Sequence, residues 1–282
     1  MDIVKQGDYH YLRHSFRKSG VVVHREKYLG KTVPPDLELV KEAFLRRCLQ
    51  EALYEKLDLI KKQAALEWKT YPSSIRPDML NKIAVDFTYN TNAIEGSTLT
   101  YEETADLLER GISPHRPYRD VKESLNNSKL FLGLFKEKRD LSLSLLLEWH
   151  HALFGDTKGD IAGQLREFRV CVGSYVAPDW QEVPHLMKDF FLWYQRSKKI
   201  MHPCELAARA HYHFEKIHPF GDGNGRVGRL LIVLILHQGS YPLLNIEYKK
   251  RNSYYRALSK TENDFLMYFM RRYLADHRRY ID

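Results

Sequence analysis

The stretch from His218 to Arg229, HPFGDGNGRVGR, combines side chains that could carry out phosphate chemistry. Gly223 and Gly225 allow backbone conformations in which several N–H groups converge on one anion, and the start of a following helix strengthens that attraction. Arg226 and Arg229 lie three positions apart, so on such a helix they would project from one face towards the same anion. The spacing therefore predicts a site that holds a polyphosphate.

Two further residues of this stretch could supply reactive groups. Asp222 comes directly before the glycines, where a carboxylate among phosphates would bind a hard divalent cation such as Mg2+. His218 ends a helix-like segment, and because Pro219 follows it we expect an extended conformation, with the ring free to face the phosphates. A histidine near its reference pKa of about 6.5 is a suitable general base for a hydroxyl. A tight turn alone would explain DGNG, but it would leave the histidine and both arginines unexplained.

This stretch is similar to the signature of the Fic family, H-x-F-x-[D/E]-G-N-G-R-x-x-R, at every defined position. The resemblance implies an all-α enzyme, a Fic-type helical bundle, that transfers AMP from ATP to a Ser, Thr or Tyr hydroxyl of a target protein. His218 would be the catalytic base, Asp222 the Mg2+ ligand and Phe220 a buried anchor of the loop. The resemblance assigns the phosphates to Gly223, Asn224, Gly225, Arg226 and Arg229.

A second candidate site lies upstream, where Thr91 to Gly96 reads TNAIEG. Helical spacing predicts a helix over about 78–96, with Asp78 as N-cap and Gly96 just beyond the end. Glu95 then lies in the last turn, where the helix dipole disfavours a carboxylate by up to about 1 kcal/mol. The string also resembles the inhibitory motif of the Fic family, [S/T]-x-x-x-E-[G/N]. The resemblance implies that Glu95, with Thr91 on the same face, pairs with Arg229 and blocks productive ATP binding.

The resemblance also assigns roles to two more groups of residues by their position in the sequence. Alternation of apolar and polar residues over 168–176 predicts a short β-hairpin. In the family this hairpin is a flap that aligns the target protein by strand addition, and Val170, Cys171 and Val172 would lie on it. Tyr255 resembles the tyrosine that lines the adenine pocket.

The spacing of apolar residues changes at about residue 33. Tyr9–Phe16 and Val21–Leu29 are rich in Val, Tyr and Phe, and with the intervening Arg17–Gly20 they predict an N-terminal β-hairpin appendage over residues 1–33. Residues 34–282 have helical spacing, which predicts one helical body that contains the inhibitory helix and, from about residue 100, a Fic core.

The amino-acid composition limits the classes of protein to which the chain can belong. The 282 residues are 44% apolar, enough for a sizeable core, and the longest fully apolar run, LLIVLIL, is far too short to span a membrane. The start, MDIVKQGDYH, has no signal-peptide core, and the three cysteines form no CxxC pair. We therefore expect a cytoplasmic protein that does not interact with membranes.

The net charge of +8 is concentrated at the two ends of the chain. Residues 1–31 carry seven Lys and Arg against three acids, and residues 249–282 carry nine against four, which gives +4 and +5. Three hypotheses stay open: an autoinhibited protein adenylyltransferase, a deAMPylase or transferase of another phosphate-containing group on the same fold, and a non-enzymatic regulator that binds nucleic acid or protein through its basic ends. The intact chemical positions favour the first. Relatives often form dimers or tetramers, so self-association is also an open expectation.

Overall fold

A computed structural model describes residues 1–18, 21–173 and 175–282. Internal contacts divide the chain into two units, one of Met1–Gln63 with Arg279–Asp282 and one of Ala64–Arg278. The first unit contains the N-terminal sheet, and the second contains the candidate active site.

The N-terminal sheet has three antiparallel strands in the order β1 (Asp2–Gln6), β2 (Tyr9–Lys18) and β3 (Val21–Gly30). The predicted hairpin corresponds to β2 and β3, and the sequence pattern missed β1. Gly7 adopts a positive φ of 59°, which lets the chain reverse so that Asp2–Gln6 pairs with β2. Two residues of the predicted turn, Ser19 and Gly20, lie outside the described part of the chain.

The helices that follow the sheet are α1 (Leu37–Leu49), a π-helical segment (Gln50–Tyr54) and α2 (Glu55–Thr70). Leu12 of β2 is fully buried and forms an apolar cluster with Phe44 and Cys48 of α1. This packing groups α1 with the sheet, so the contacts divide the chain at residue 63, whereas the sequence pattern changed at residue 33.

The second unit is helical apart from one short hairpin, in agreement with the predicted all-α class. Its α-helices are α3 (Arg76–Ile94), α4 (Tyr101–Ala105), α5 (Tyr118–Leu134), α6 (Leu143–Phe154), α7 (Val183–Ser197), α8 (Pro203–Ile217), α9 (Asn224–Gln238), α10 (Arg251–Leu258) and α11 (Glu262–Asp276). The hairpin consists of β4 (Cys171–Val172) and β5 (Tyr175–Val176). A π-helical segment, Asp106–Arg110, continues α4.

Helix α9 is buried on all sides in this unit. Its apolar run over residues 230–236 is at most 3% exposed, which explains why the sequence has no polar face there. The helix packs against α8 and also contacts α3, α5 and α6. These neighbours fix the position of the first turn of α9, where the signature residues lie.

Helix α3 differs from its predicted start. It begins at Arg76, two residues before the predicted cap Asp78, because Pro77 fits the first helical turn, where its missing N–H is not needed. Its end agrees with the prediction: Glu95 is the C-cap and Gly96 has a positive φ of 88°. Across the described ranges, none of the helices combines the length and the apolar character needed to cross a membrane.

Candidate active site

The signature loop connects α8 to α9, and Gly223 is the residue on which it turns. Gly223 has a φ of 79° and precedes the first residue of α9. A Cβ atom at this position would lie 2.2 Å from Cε2 of the buried Phe154 ring. Both the backbone conformation and the close ring therefore require glycine here.

Replacement of Gly223 by alanine should lower the free energy of unfolding by at least about 2 kcal/mol, since left-handed backbone strain adds to the clash with Phe154. Urea unfolding followed by circular dichroism measures the difference. Gly221→Ala is the matched control from the same loop, because its Cβ would meet the half-exposed ring of Phe168, which can move. Equal destabilisation by both substitutions would contradict the role given to Phe154.

Asn224 closes the loop upon itself. Its Oδ1 accepts the N–H of Phe220 at 2.9 Å, and its Nδ2 donates to the Phe220 carbonyl at 2.8 Å. Phe220 is fully buried and stacks on His150 at a centroid distance of 4.0 Å. The Asn224 side chain thus holds the shape of the loop and, with it, the position of the backbone N–H groups at the start of α9.

His218 ends α8 in a left-handed conformation, with φ 53° and ψ 61°. The expectation of an extended conformation before Pro219 is therefore wrong. The left-handed residue lets the His218 N–H donate to the Phe214 carbonyl at 2.9 Å, which terminates the helix and outweighs the preference imposed by the proline. The Nδ1 atom of His218 lies 3.3 Å from the Glu215 carbonyl oxygen. Burial lowers the pKa of His218, so the ring is neutral at pH 7.

Arg229 is buried and paired with residues of α3. Its Nη2 donates to Glu95 Oε1 at 2.6 Å, and its Nε donates to Thr91 Oγ1 at 2.6 Å. Burial alone would lower the pKa of Arg229, but the Glu95 carboxylate outweighs it and raises that pKa. Glu95 and Thr91 thus both contact Arg229, where the sequence had led us to expect a pair with Glu95 and to place Thr91 on the same helix face.

Arg226 is also paired with a carboxylate, from a residue that the sequence did not single out. Its Nη1 donates to Oε2 of Glu123 on α5, and both side chains are only 6% exposed. The guanidinium also lies 4.4 Å from the centroid of the Phe154 ring. Each arginine of the signature therefore contacts an acid from a different helix.

Asp222 lies at the mouth of the loop, with its side chain 49% exposed. Its Oδ1 accepts the N–H of Gly223 at 2.6 Å, and its Oδ2 contacts Nζ of Lys158. Burial of part of the carboxyl group would raise the pKa of Asp222, but Lys158 outweighs it and lowers that pKa. Asp222 is consequently ionised at neutral pH.

Arg166 joins the signature loop to the flap. Its side chain donates to the carbonyls of His218 (2.8 Å), Phe168 (2.9 Å) and Pro178 (2.6 Å). The flap is the β4–β5 hairpin; Cys171 and Val172 form β4, and Val170 directly precedes it and accepts the N–H of Ala177 at 3.1 Å. Cys171 and Val172 are exposed beside the loop.

Tyr255 on α10 reaches the end of α3, where its hydroxyl donates to the Ile94 carbonyl at 3.2 Å. Its side chain is 41% exposed. The predicted adenine-pocket residue therefore lies at the end of α3, where Glu95 is the C-cap.

Sequence reasoning missed four residues that support this site: Glu123, His150, Lys158 and Arg166. His150 accepts the Gly163 N–H through Nδ1 and donates through Nε2 to the Asp222 carbonyl, both at 2.9 Å. None of these residues belongs to the two motifs, and each is a single polar residue that no chemical pattern in its own segment marks. Only a contact map could have placed them at the loop.

The comparisons with known proteins match the same region. A model of the Fic/DOC family matches residues 140–236. Protein adenylyltransferase fic-1 of Caenorhabditis briggsae is 35% identical over 200 residues, which cover 68% of this chain and 39% of that protein. Protein adenylyltransferase Fic of Nematostella vectensis is 31% identical over 193 residues, which cover 65% of this chain and 44% of that protein. The chain thus spans well under half the length of these curated relatives.

Solved structures show the same fold. Fic-1 of Caenorhabditis elegans, residues 134–508, aligns with a TM-score of 0.69 and 27% identity over 87% of this chain and 74% of that one. A Fic domain containing signaling protein of Bacteroides thetaiotaomicron aligns with a TM-score of 0.69 and 27% identity over 79% of this chain and 96% of that one.

Proposed function

The chain belongs to the Fic/DOC family, and on that premise we propose that it is a protein adenylyltransferase that moves AMP from ATP to a Ser, Thr or Tyr hydroxyl of a target protein. The observation that carries the proposal is the convergence of His218, Asp222 and Arg226 at the N-terminus of one buried helix. The curated relatives bear the name protein adenylyltransferase.

His218 would be the general base. Because Nδ1 faces the Glu215 carbonyl, it carries the ring proton, and Nε2 keeps the lone pair that accepts the proton of the target hydroxyl. The hydroxyl oxygen then forms a bond to the α-phosphorus while the bond from that phosphorus to the pyrophosphate oxygen breaks. Pyrophosphate leaves as an anion, and AMP stays on the target oxygen.

The start of α9 would stabilise the developing charge. The glycines at 223 and 225 leave its first N–H groups open to phosphate oxygens, and the helix dipole favours negative charge there. Arg226 and Arg229 would bind the outer phosphates, and Arg229 could do so only once Glu95 moves away.

Asp222 fits the role of a Mg2+ ligand. Mg2+ is commonly held by one or two carboxylates together with substrate phosphates and water, so an ionised, half-exposed carboxylate beside the phosphate site provides the right donor. Among the described residues, no group of three or more His, Cys, Asp or Glu side chains is arranged to hold a metal without the nucleotide. When bound, the ion would neutralise part of the charge on the leaving pyrophosphate.

The resting state would be autoinhibited. Arg229 donates from Nε and Nη2 to Thr91 and Glu95, and a carboxylate in this position both occupies the guanidinium and repels the terminal phosphate of ATP. A Cβ added to Gly225 would lie 2.3 Å from Glu95 Oε1, so the carboxylate also reaches the backbone of the phosphate site. ATP could bind productively only after Glu95 moves.

Glu95→Gly should raise labelling of proteins by radioactive ATP with Mg2+ by about tenfold to a hundredfold, the usual range for coupling between an inhibitory contact and a ligand. Glu95 lies at the end of α3 and not inside the helix, so glycine costs little there and the substitution should leave the fold intact. The measurement uses a lysate of potential targets and compares the wild-type protein, Glu95→Gly and Glu95→Gly/His218→Ala. No gain from the first substitution would refute the autoinhibition, and no loss from the second would refute the role of His218.

The flap would present the target. Cys171 and Val172 form an exposed, two-residue strand whose outer edge could pair with an extended segment of another protein. Arg166 fixes the distance between this strand and His218 through its carbonyl contacts, so main-chain pairing would deliver the hydroxyl to the base.

A further inference from the structure

Lys158, which follows α6, lies between two carboxylates at the mouth of the signature loop. Its Nζ contacts Asp222 Oδ2 and lies 3.6 Å from Glu123 Oε1 and 4.9 Å from the centroid of the Phe154 ring. The side chain is 19% exposed, so the ammonium group is partly desolvated. The lysine thus places a positive charge on the same carboxylate that the proposed function assigns to Mg2+.

Glu123 does not need this lysine for its own neutralisation. Its Oε2 accepts from Arg226, and its Oε1 accepts the hydroxyl of Thr157 at 2.9 Å. Asp222 is in the opposite situation, because its only cationic contact within 4 Å, among the described residues, is Lys158. The ammonium therefore acts mainly on Asp222.

We propose that Lys158 is an internal counter-ion that holds Asp222 in the nucleotide-free protein and competes with the divalent cation for it. This inference rests on the proposed function in one respect, the assignment of Asp222 as metal ligand. The ammonium group takes up a lone pair of the carboxylate that a metal ion would use, and its positive charge disfavours a divalent cation nearby. Lys158 would then be a positioning residue that must swing away when the cation enters.

Lys158 would also add a second inhibitory contact, independent of Glu95. Glu95 occupies the arginine at the phosphate site, and Lys158 occupies the acid at the metal site. The nucleotide-free site would therefore be neutralised internally at both places where Mg2+ and ATP bind.

Binding of Mn2+ to the nucleotide-free protein, measured by electron paramagnetic resonance, tests the proposal. Lys158→Met and Lys158→Gln should each bind Mn2+ about tenfold more tightly than the wild-type protein, since both remove the charge and Gln keeps a polar end. Lys158→Arg keeps the charge and should bind like the wild type. Lys122→Met is the matched control, because Lys122 lies 3.4 Å from the half-exposed Asp156 and does not contact Asp222.

Unchanged Mn2+ affinity in both uncharged variants would overturn the proposal. So would tighter binding that persists when Asp222→Asn is added, because the metal would then be bound elsewhere. We expect the double variant Lys158→Met/Asp222→Asn to lose the tighter Mn2+ binding of Lys158→Met. The readout contains no ATP and no target protein, so absence of AMP transfer would refute the proposed function and leave this measurement unaffected.

Discussion

In a Glu95→Gly background, His218→Ala should reduce the rate of AMP transfer by about 10²- to 10⁴-fold while leaving the affinity for ATP within about twofold, since a general base acts on the transition state and contacts the hydroxyl rather than the nucleotide. Contacts on both sides of His218 hold its ring in one orientation. Its Nδ1 faces the Glu215 carbonyl, and the Arg166 side chain binds the His218 carbonyl, so Nε2 points to one place.

Single-turnover labelling with saturating ATP gives the rate, and isothermal titration gives the affinity. His185→Ala is the matched control, because His185 is a surface residue of α7 that contacts only Asp189 among the described ion pairs. A His218→Ala protein that transfers AMP within tenfold of its parent would assign the proton transfer to another group. A large loss of ATP affinity would mean that the histidine shapes the phosphate site instead.

The signature could be interpreted from the sequence because its chemistry is contiguous. The loop, the helix start and two arginines lie within twelve residues, so their proximity needs no knowledge of the fold. The contact between Glu95 and Arg229 joins positions 134 apart, and only the resemblance to a family motif predicted it. Glu123 and Lys158 have no such motif, so their places beside Arg226 and Asp222 emerge only from the packing of α5 and α6.

Predictions of backbone conformation were wrong where two local preferences competed. The proline after His218 favours an extended residue, but the end of α8 favours a left-handed one, and the helix-ending hydrogen bond decides. Helix α3 begins before the favourable capping residue Asp78, because Pro77 is well suited to the first turn. In the N-terminal sheet, β1 is only five residues long, and the sequence analysis did not use the two-residue turn signal Gly7–Asp8 that joins it to β2. At His218 and at the start of α3, two local preferences compete within a few residues, and a pattern search does not weigh one against the other.

The buried carboxyl group of Glu215, next to α9, affects the stability of the fold. Glu215 of α8 lies against the backbone of α9: a Cβ added to Gly228 would be 2.7 Å from Glu215 Oε1, and that oxygen has no hydrogen-bond partner among the described residues. Its imidazole neighbour His211, 4.0 Å away, cannot neutralise it, because burial lowers the pKa of His211 to about 3. Burial raises the pKa of Glu215 to about 8, although Arg229 acts in the opposite direction.

As the pH rises from 4.5 to 8, the Glu215→Gln variant should therefore lose less folding stability than the wild-type protein. A carboxyl group whose folded pKa is raised from 4.5 to about 8 binds a proton in the folded protein that the unfolded chain has released. The folded state then loses up to about 1.4 kcal/mol of stability per pH unit across that window, and glutamine, which cannot ionise, removes this contribution. The difference in unfolding free energy between variant and wild type should shift in favour of the variant by several kcal/mol, on the order of 3, between pH 5 and 8.

Urea unfolding at pH 5, 6.5 and 8 measures this difference. Glu109→Gln, at an exposed position, is the matched control and should change stability equally at each pH. Parallel pH profiles for Glu215→Gln and the wild type would show that Glu215 is ionised in the folded protein at pH 5. Arg229 would then lie near two negative charges in the resting state, and Glu95→Gly alone would remove only one of them. The stability measurement thus also bears on which acid must move before ATP can bind.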